Sequence, residues 1–515
     1  MANERGGTLL GDMQPSFDGG MNTVSDDIAT LTVQTRSATN CRLTDFGSIK
    51  KRQGTQRSSS AVLAAAAVLN GYTWRKDAGT QQIMVACNGA LRTATYGSFP
   101  WSWGTPSGGT VSTTVPPSFA QFRDGSSDVV YIADGGLLNK WDGTTYTADI
   151  ASTGDCKVIC VHNERLWGFN STTSPDSIFY SAINNGSTLG IGASAGGSII
   201  VRTYGDEAVI SGCSIGTSLL IFHKRGISRL TGYGQDDITV APTGITADVG
   251  IIAKYSVVRV DNLAYFICER GLYRVNDSGV APVATKETPD PILPILRTLT
   301  ASQFDNIRCE FSRQTREIWV SIPGYGIYVF HTLLNAWTGP WDTGFTSPET
   351  TALFETLDAS GLPCILRGDA SGWVSRCDVT DSTKDNVAAD GTGGTTFTLS
   401  TQLHRMYFGD ESLEKGMRKA FVTATLRGST ALTCIYATER TQGSGTISDG
   451  NPSTSYWDLG NWDDGRTWSE AAGSGHYHVQ LGSTGHYLDL TFTDSSASII
   501  DISRVQATAY SLGRR

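Results

Sequence analysis

Four groups of residues have types and spacings that chemistry could use. Gly192-Ala193-Ser194-Ala195-Gly196 fits the Gly-x-Ser-x-Gly elbow, in which a strand-to-helix turn lifts a serine above a parallel sheet for acyl transfer. No helix-forming run follows it, and chance matches are expected in a chain with 58 glycines, so a loop is the favoured reading. His476, His478 and His486 fall near one predicted hairpin, where alternation puts His476 and His478 on the same strand face, as two zinc-binding imidazoles would be. A third ligand is not evident, and Tyr477 and Val479 carry the apolar face, so exposed histidines are expected. Lys50-Lys51-Arg52, followed by Arg57, is the one dense basic cluster and could meet phosphate. A net charge of -9 and the lack of interleaved aromatics favour a solvated loop or a protein interface there. The ten cysteines are scattered singly with no C-x-x-C, and even the closest pair, Cys156 and Cys160, gives too little for a metal site; they read as small core residues. The sequence therefore predicts no catalytic residue, no metal and no cofactor.

A fifth pattern is structural. Asn461-Trp462-Asp463-Asp464-Gly465-Arg466-Thr467-Trp468 is similar to the Asp-box hairpin, with Asn461 in place of the usual hydroxyl residue. In such a turn, formed here by Asp463, Gly465, Thr467 and Trp468, the aspartate accepts hydrogen bonds from the local backbone, the glycine takes a positive φ, and the final aromatic packs beneath.

The elements that would position these residues are short strands. Only 17% of residues are charged, proline stops at 16, and glycine-centred turns recur, a mix that suits tight β turns. Seven hairpins of one kind punctuate the middle of the chain: 82–87 with 90–95, 129–133 with 137–141, 166–169 with 178–181, 219–223 with 227–230, 264–268 with 272–275, 317–322 with 327–330, and 364–368 with 373–375. From Gly89 to Gly372 their mean period is about 47 residues, within the range of β-propeller blades.

The predicted fold is all-β: a β-propeller of six or seven blades over 59–380, an extended N-terminal arm over 1–58, a linker over 381–396 and a C-terminal β-sandwich-like domain over 397–515. The arm holds apolar groups such as Leu9, Leu10, Phe17, Ile28, Leu31 and Phe46 with little core of its own, so it must dock on another surface. Met1 to Gly7 has no apolar signal region, and the longest apolar run, 61–69, is far too short to span a membrane; synthesis in the cytosol is expected.

The arm also carries a resemblance. Asn40-Cys41-Arg42-Leu43, then Gly47 and Lys51-Arg52-Gln53-Gly54-Thr55, is similar to the opening of the hub or nozzle proteins of short-tailed bacteriophages, the class of tail tubular protein B and the packaged-DNA stabilisation proteins. Further matches are Asp176 to Ser181, the run at 266–275, Ile318-Trp319-Val320 with Asn335-Ala336-Trp337, and Phe408-Gly409-Asp410. Some nozzle proteins carry large insertions that this chain lacks. The resemblance implies a structural virion protein in a homohexameric ring below the portal and its adaptor, with a tail fibre, spike or needle as a further partner. Genome DNA would pass through the lumen with weak contact. Lys50, Lys51, Arg52, Gly54 and Thr55 become candidates for the assembly interface. A glycan-binding or glycan-cleaving propeller, suggested by the Asp-box, and a cellular interaction propeller are the alternatives.

Overall fold

The computed structural model describes residues 8–513 apart from 26–29, 77–80, 98, 151–154, 191–195, 203–206, 233–238, 241–243, 286–287, 343, 359, 380–381, 428–430, 449–453, 457–466, 470–474 and 498. Each of the seven hairpins read from the sequence is the middle pair of four successive antiparallel strands; six of these sets are separate four-stranded sheets, and the set around 317–322 and 327–330 is one end of a ten-stranded sheet. In the first, Gln82–Cys87 and Ala90–Thr95 are flanked by Val68–Trp74 and Trp103–Gly104. The middle strands are apolar because neighbouring sheets cover both of their faces. Ser218–His223, Glu317–Ile322 and Gly326–His331 are buried at every position.

These seven sets of strands are the blades of a closed ring. Separate hydrophobic cores fill the spaces between successive blades: Trp74 with Trp141 between the first and second, Phe122 with Leu166 between the second and third, Phe169 with Ile221 between the third and fourth. Phe222 with Phe266, and Tyr265 with Phe330, continue the series to the sixth blade. Trp319 with Ile365 joins the sixth to the seventh, and Phe354 with Ile83 joins the seventh back to the first. Burying each such side chain contributes about 1.5–3 kcal/mol, which is what lets strands of five residues hold together. The innermost strands of all seven blades line one central cavity of about 600 Å³.

The last blade is completed from the other end of the chain. Its outer strand is Gly54–Arg57, paired antiparallel with Val374–Val379. The arm expected over 1–58 is thus partly a propeller strand, and the propeller closes only when residues far apart in sequence meet.

The C-terminal part is a sandwich of two sheets. One contains Glu414–Arg427 between Ile499–Gly513 and Gly475–Gly485, and the other contains Leu399–Leu403, Asp489–Asp494, Ala431–Ala437 and Gln442–Ser448. Val422, Ala424, Val505 and Ala507 from the first face Cys434, Leu490 and Phe492 from the second in one core, which runs on into that between blades five and six.

The arm is a stitch between these bodies. Leu9–Gln14 pairs with Ile499–Gly513 of the sandwich, register Leu9 to Tyr510. Gln34–Thr39 lies between Ala336–Trp341 of blade six and Leu399–Leu403, so that blade and sandwich share one continuous ten-stranded sheet. Of the arm's apolar groups, Phe17 is buried and Leu10 packs against the shared core, whereas Leu9, Leu31 and Phe46 stay exposed and Ile28 lies outside the described residues. The stretch expected as a linker is also docked: Lys384–Asp385 pairs with Thr395–Thr396, and Val387 N–H donates to the Thr55 carbonyl at 3.0 Å.

Candidate functional site: the joint of arm, blades and sandwich

The basic cluster sits where these elements converge, and the strand Ile49–Lys51 decides which side chains go inside. Ile49 and Lys51 share the buried face of that strand, and Lys50 is half-exposed. Lys51 is 1% exposed; its ammonium donates to Asp494 Oδ2 at 2.8 Å and to the Ser496 carbonyl at 2.6 Å. Burial pulls its pKa below the usual lysine range, against the opposing pull of Asp494.

Arg52 is wholly buried and grips Asp385, also wholly buried, through Nη1 to Oδ1 at 2.9 Å and Nη2 to Oδ2 at 2.5 Å. This bidentate fork is the geometry that best repays desolvating a guanidinium. The Phe397 ring lies 3.6 Å beneath its carbon and Phe345 at 4.8 Å, so the cation is packed between aromatic faces. One residue before the strand pair, Asn40 adopts a positive φ of 53° and spends its whole amide on the joint. Its Nδ2 donates to Asp342 at 2.6 Å and to the Thr398 carbonyl at 2.9 Å, and its Oδ1 accepts from Arg52 Nε at 3.0 Å. A single asparagine thereby ties arm, blade six and the start of the sandwich.

Arg42 completes the cluster from the other side. It pairs with Asp378 at 2.8 Å and Glu317 at 2.9 Å, and its guanidinium lies 5.1 Å from the Trp341 ring. Burial works against its charge, but the two carboxylates outweigh that and its pKa rises; burial pushes the Glu317 carboxyl up. Gly54 is required by contact: a Cβ there would lie 1.9 Å from the Lys384 carbonyl oxygen. Thr55 is buried and its hydroxyl accepts from Asn386 N–H at 2.8 Å.

The expectation of a solvated loop or an intermolecular contact is thus corrected for Lys51, Arg52, Gly54 and Thr55. They face carboxylates, aromatics and backbone of their own chain, and neither buried cation is open to phosphate. Sequence reasoning missed Asn40 as the hub of the hydrogen bonds and missed Asp385, Asp494 and Phe397 as partners, since these lie more than 300 residues away. The parity of Lys51 with Ile49 was the one local signal.

The other candidate residues fall elsewhere. Ser194, Asp463 and Gly465 lie outside the described residues. Thr467 and Trp468 belong to the strand Thr467–Ser469, which pairs in parallel with Thr454–Tyr456. His476 and His478 are exposed on one strand face, His476 beside Thr423 Oγ1 at 3.1 Å. His486 Nδ1 meets Glu439 at 2.7 Å, and among the described residues no group of three metal-ligating side chains forms. No described helix is long and apolar enough to cross a membrane.

No family model matches the chain, and no curated protein does. Among solved structures, the extracellular domain of a protein described as a hybrid two-component system of B. thetaiotaomicron is similar over 66% of this chain, with 13% identity and a TM-score of 0.39. The match spans 45% of that domain, less than half its length, and a likeness at this level carries no functional argument.

Proposed function

We propose that this chain is a structural subunit of a short-tailed bacteriophage tail, a hub or nozzle protein. Copies of it form a homohexameric ring on the virion below the portal adaptor, retain packaged DNA and conduct it during ejection. The observation that carries this reading is where the resemblance falls. Of the residues that match the family's opening, Asn40, Lys51, Arg52, Gly54 and Thr55 take part in the joint that fixes the sandwich against the propeller, and Gly47 lies apart from it, its carbonyl accepting from Phe17 N–H. The likeness therefore concerns the part that sets the relative orientation of two modules, which a ring subunit must hold constant from copy to copy.

The size of the central cavity bears on how DNA would pass. About 600 Å³ is the volume of a small-molecule pocket and cannot admit a duplex, so the lumen lies between copies and not through a propeller. Assembly takes place in the host cytoplasm, with the adaptor and a fibre, spike or needle as neighbours. Electron microscopy of virion tails tests this directly: six copies around the tail axis are expected, one or three copies would reject the hexamer, and absence from the particle would reject the reading altogether.

A further inference from the structure

The central cavity of the propeller differs in charge from the rest of the molecule. The chain carries nine more acidic than basic residues, yet the cavity lining has five cations, Arg75, Lys254, Arg259, Arg308 and Arg313, against the two carboxylates Glu310 and Glu355. Several of these are already matched. Glu355 takes Arg75 at 3.1 Å and Arg313 at 3.4 Å, and Lys254 takes Asp305 at 3.1 Å.

Arg308 and Arg259 are held differently. Arg308 is 4% exposed; its Nη1 donates to the carbonyls of Asp305 at 2.7 Å and Ile307 at 3.0 Å, and its Nε is buried without an acceptor. The Tyr255 ring lies 4.6 Å from its carbon, and the Tyr255 hydroxyl is anchored on the Pro116 carbonyl at 2.9 Å. Burial pushes this guanidinium down to about 10, so it remains a cation at neutral pH. Arg259 is exposed to the cavity, with Nε on the Asp261 carbonyl at 3.3 Å. Carbonyl dipoles satisfy donors but supply no countercharge; the Asp305 carboxylate, already paired with Lys254, also acts on Arg308, so the lining keeps more positive than negative charge, with Arg259 the cation exposed to the cavity.

The rest of the wall offers what a hydroxylated molecule needs. Tyr72 and Phe119 stack at 5.8 Å with 11° between their planes and line the cavity as an apolar patch, with Gln121, Ser118 and Ser214 alongside. Burial pushes the Glu310 carboxyl up to about 8, so at neutral pH it is mostly protonated and repels an anion little.

We propose that the central cavity binds a compact hydroxylated carboxylate of sugar size, with Arg308 and Arg259 on its carboxylate and the polar wall on its hydroxyls. This goes beyond the structural role, and it stands or falls independently of ring formation. The test is calorimetric titration of the full chain at low salt with glucuronate, and with glucose and inorganic phosphate as controls. Saturable binding of glucuronate at millimolar concentration or below is expected, with glucose at least tenfold weaker for want of charge and phosphate at least tenfold weaker for want of hydroxyls. Arg259→Gln, at an exposed position, should weaken glucuronate at least tenfold, and Arg308→Lys, which keeps the buried charge but loses the planar guanidinium, should weaken it as well. No heat with glucuronate, equal binding of glucose or phosphate, or unchanged affinity in Arg259→Gln would each overturn the proposal.

Discussion

The middle strands of the blades and the joint of the arm are buried to the same degree and built from opposite materials. In blade four, Leu219, Leu220, Ile221 and Phe222 are all inaccessible, and their partners come from the same hairpin or from neighbouring blades. At the joint the inaccessible residues are Lys51, Arg52 and Asp385, whose partners come from the opposite end of the chain. Apolar burial is tolerant of who the neighbour is, because it is non-directional. A buried ion pair has one acceptable partner in one geometry, and so it specifies a single arrangement of two modules at the expense of desolvation.

The largest expected effect lies at that pair. Arg52→Ala leaves Asp385 charged and buried, and should cost about 3–5 kcal/mol in equilibrium urea unfolding. Replacing both, Arg52→Met with Asp385→Leu, should recover most of that loss. If the double variant is as unstable as the single one, the joint is a packing site like the blades and the contrast fails.

A smaller effect is expected inside the blades, where Asp290 is an acid among apolar neighbours. It accepts from Leu272 N–H at 2.7 Å and Ile292 N–H at 3.1 Å, yet burial outweighs both bonds and raises its carboxyl to about 6. The folded state thus holds this proton more tightly than the unfolded chain, whose value is near 3.8. The favourable contribution is complete below about pH 4 and is lost as pH rises through about 6, by up to about 3 kcal/mol. Stability measured across that window should fall in the native protein relative to Asp290→Asn, whose profile lacks this term; parallel profiles would contradict it.

The smallest effect should come from the residue beside Lys51. Lys50→Ala removes a half-exposed side chain opposite Asp501 in the register and should change stability by no more than about 0.5 kcal/mol. A loss as large as that of Lys51→Ala would mean that the two faces of the strand Ile49–Lys51 are not distinct.

The blades were legible in the sequence because each middle pair is local: Cys87 turns through Asn88 and Gly89, both with positive φ, and the strand returns on itself at once. The inner and outer strands were less legible. In Val258–Val260 and Arg308–Ser312 the charged residues Arg259, Arg308 and Glu310 go to the cavity lining and interrupt the apolar run, so only the intervening residues carry the signal of a covered strand. The joint was legible only as a cluster of charge. Charge alone suggests solvent, and nothing near Arg52 in sequence announces that Asp385 and Phe397 will enclose it. Their partners required the fold.

The closing strand Gly54–Arg57 has a consequence for how the molecule comes to be folded. A ribosome makes the arm first, but Asp385, Asp494 and the strand Ile499–Gly513 emerge last, with 443 residues between Lys51 and Asp494. At ordinary elongation rates that interval is on the order of tens of seconds. Throughout it the arm has strand edges and cations awaiting partners, and the strand Gly54–Arg57 is made long before Val374–Val379, the strand of the seventh blade that it pairs with. High contact order of this kind slows the final step. The nascent arm is therefore the stretch a chaperone has most reason to hold and a protease the longest opportunity to cut.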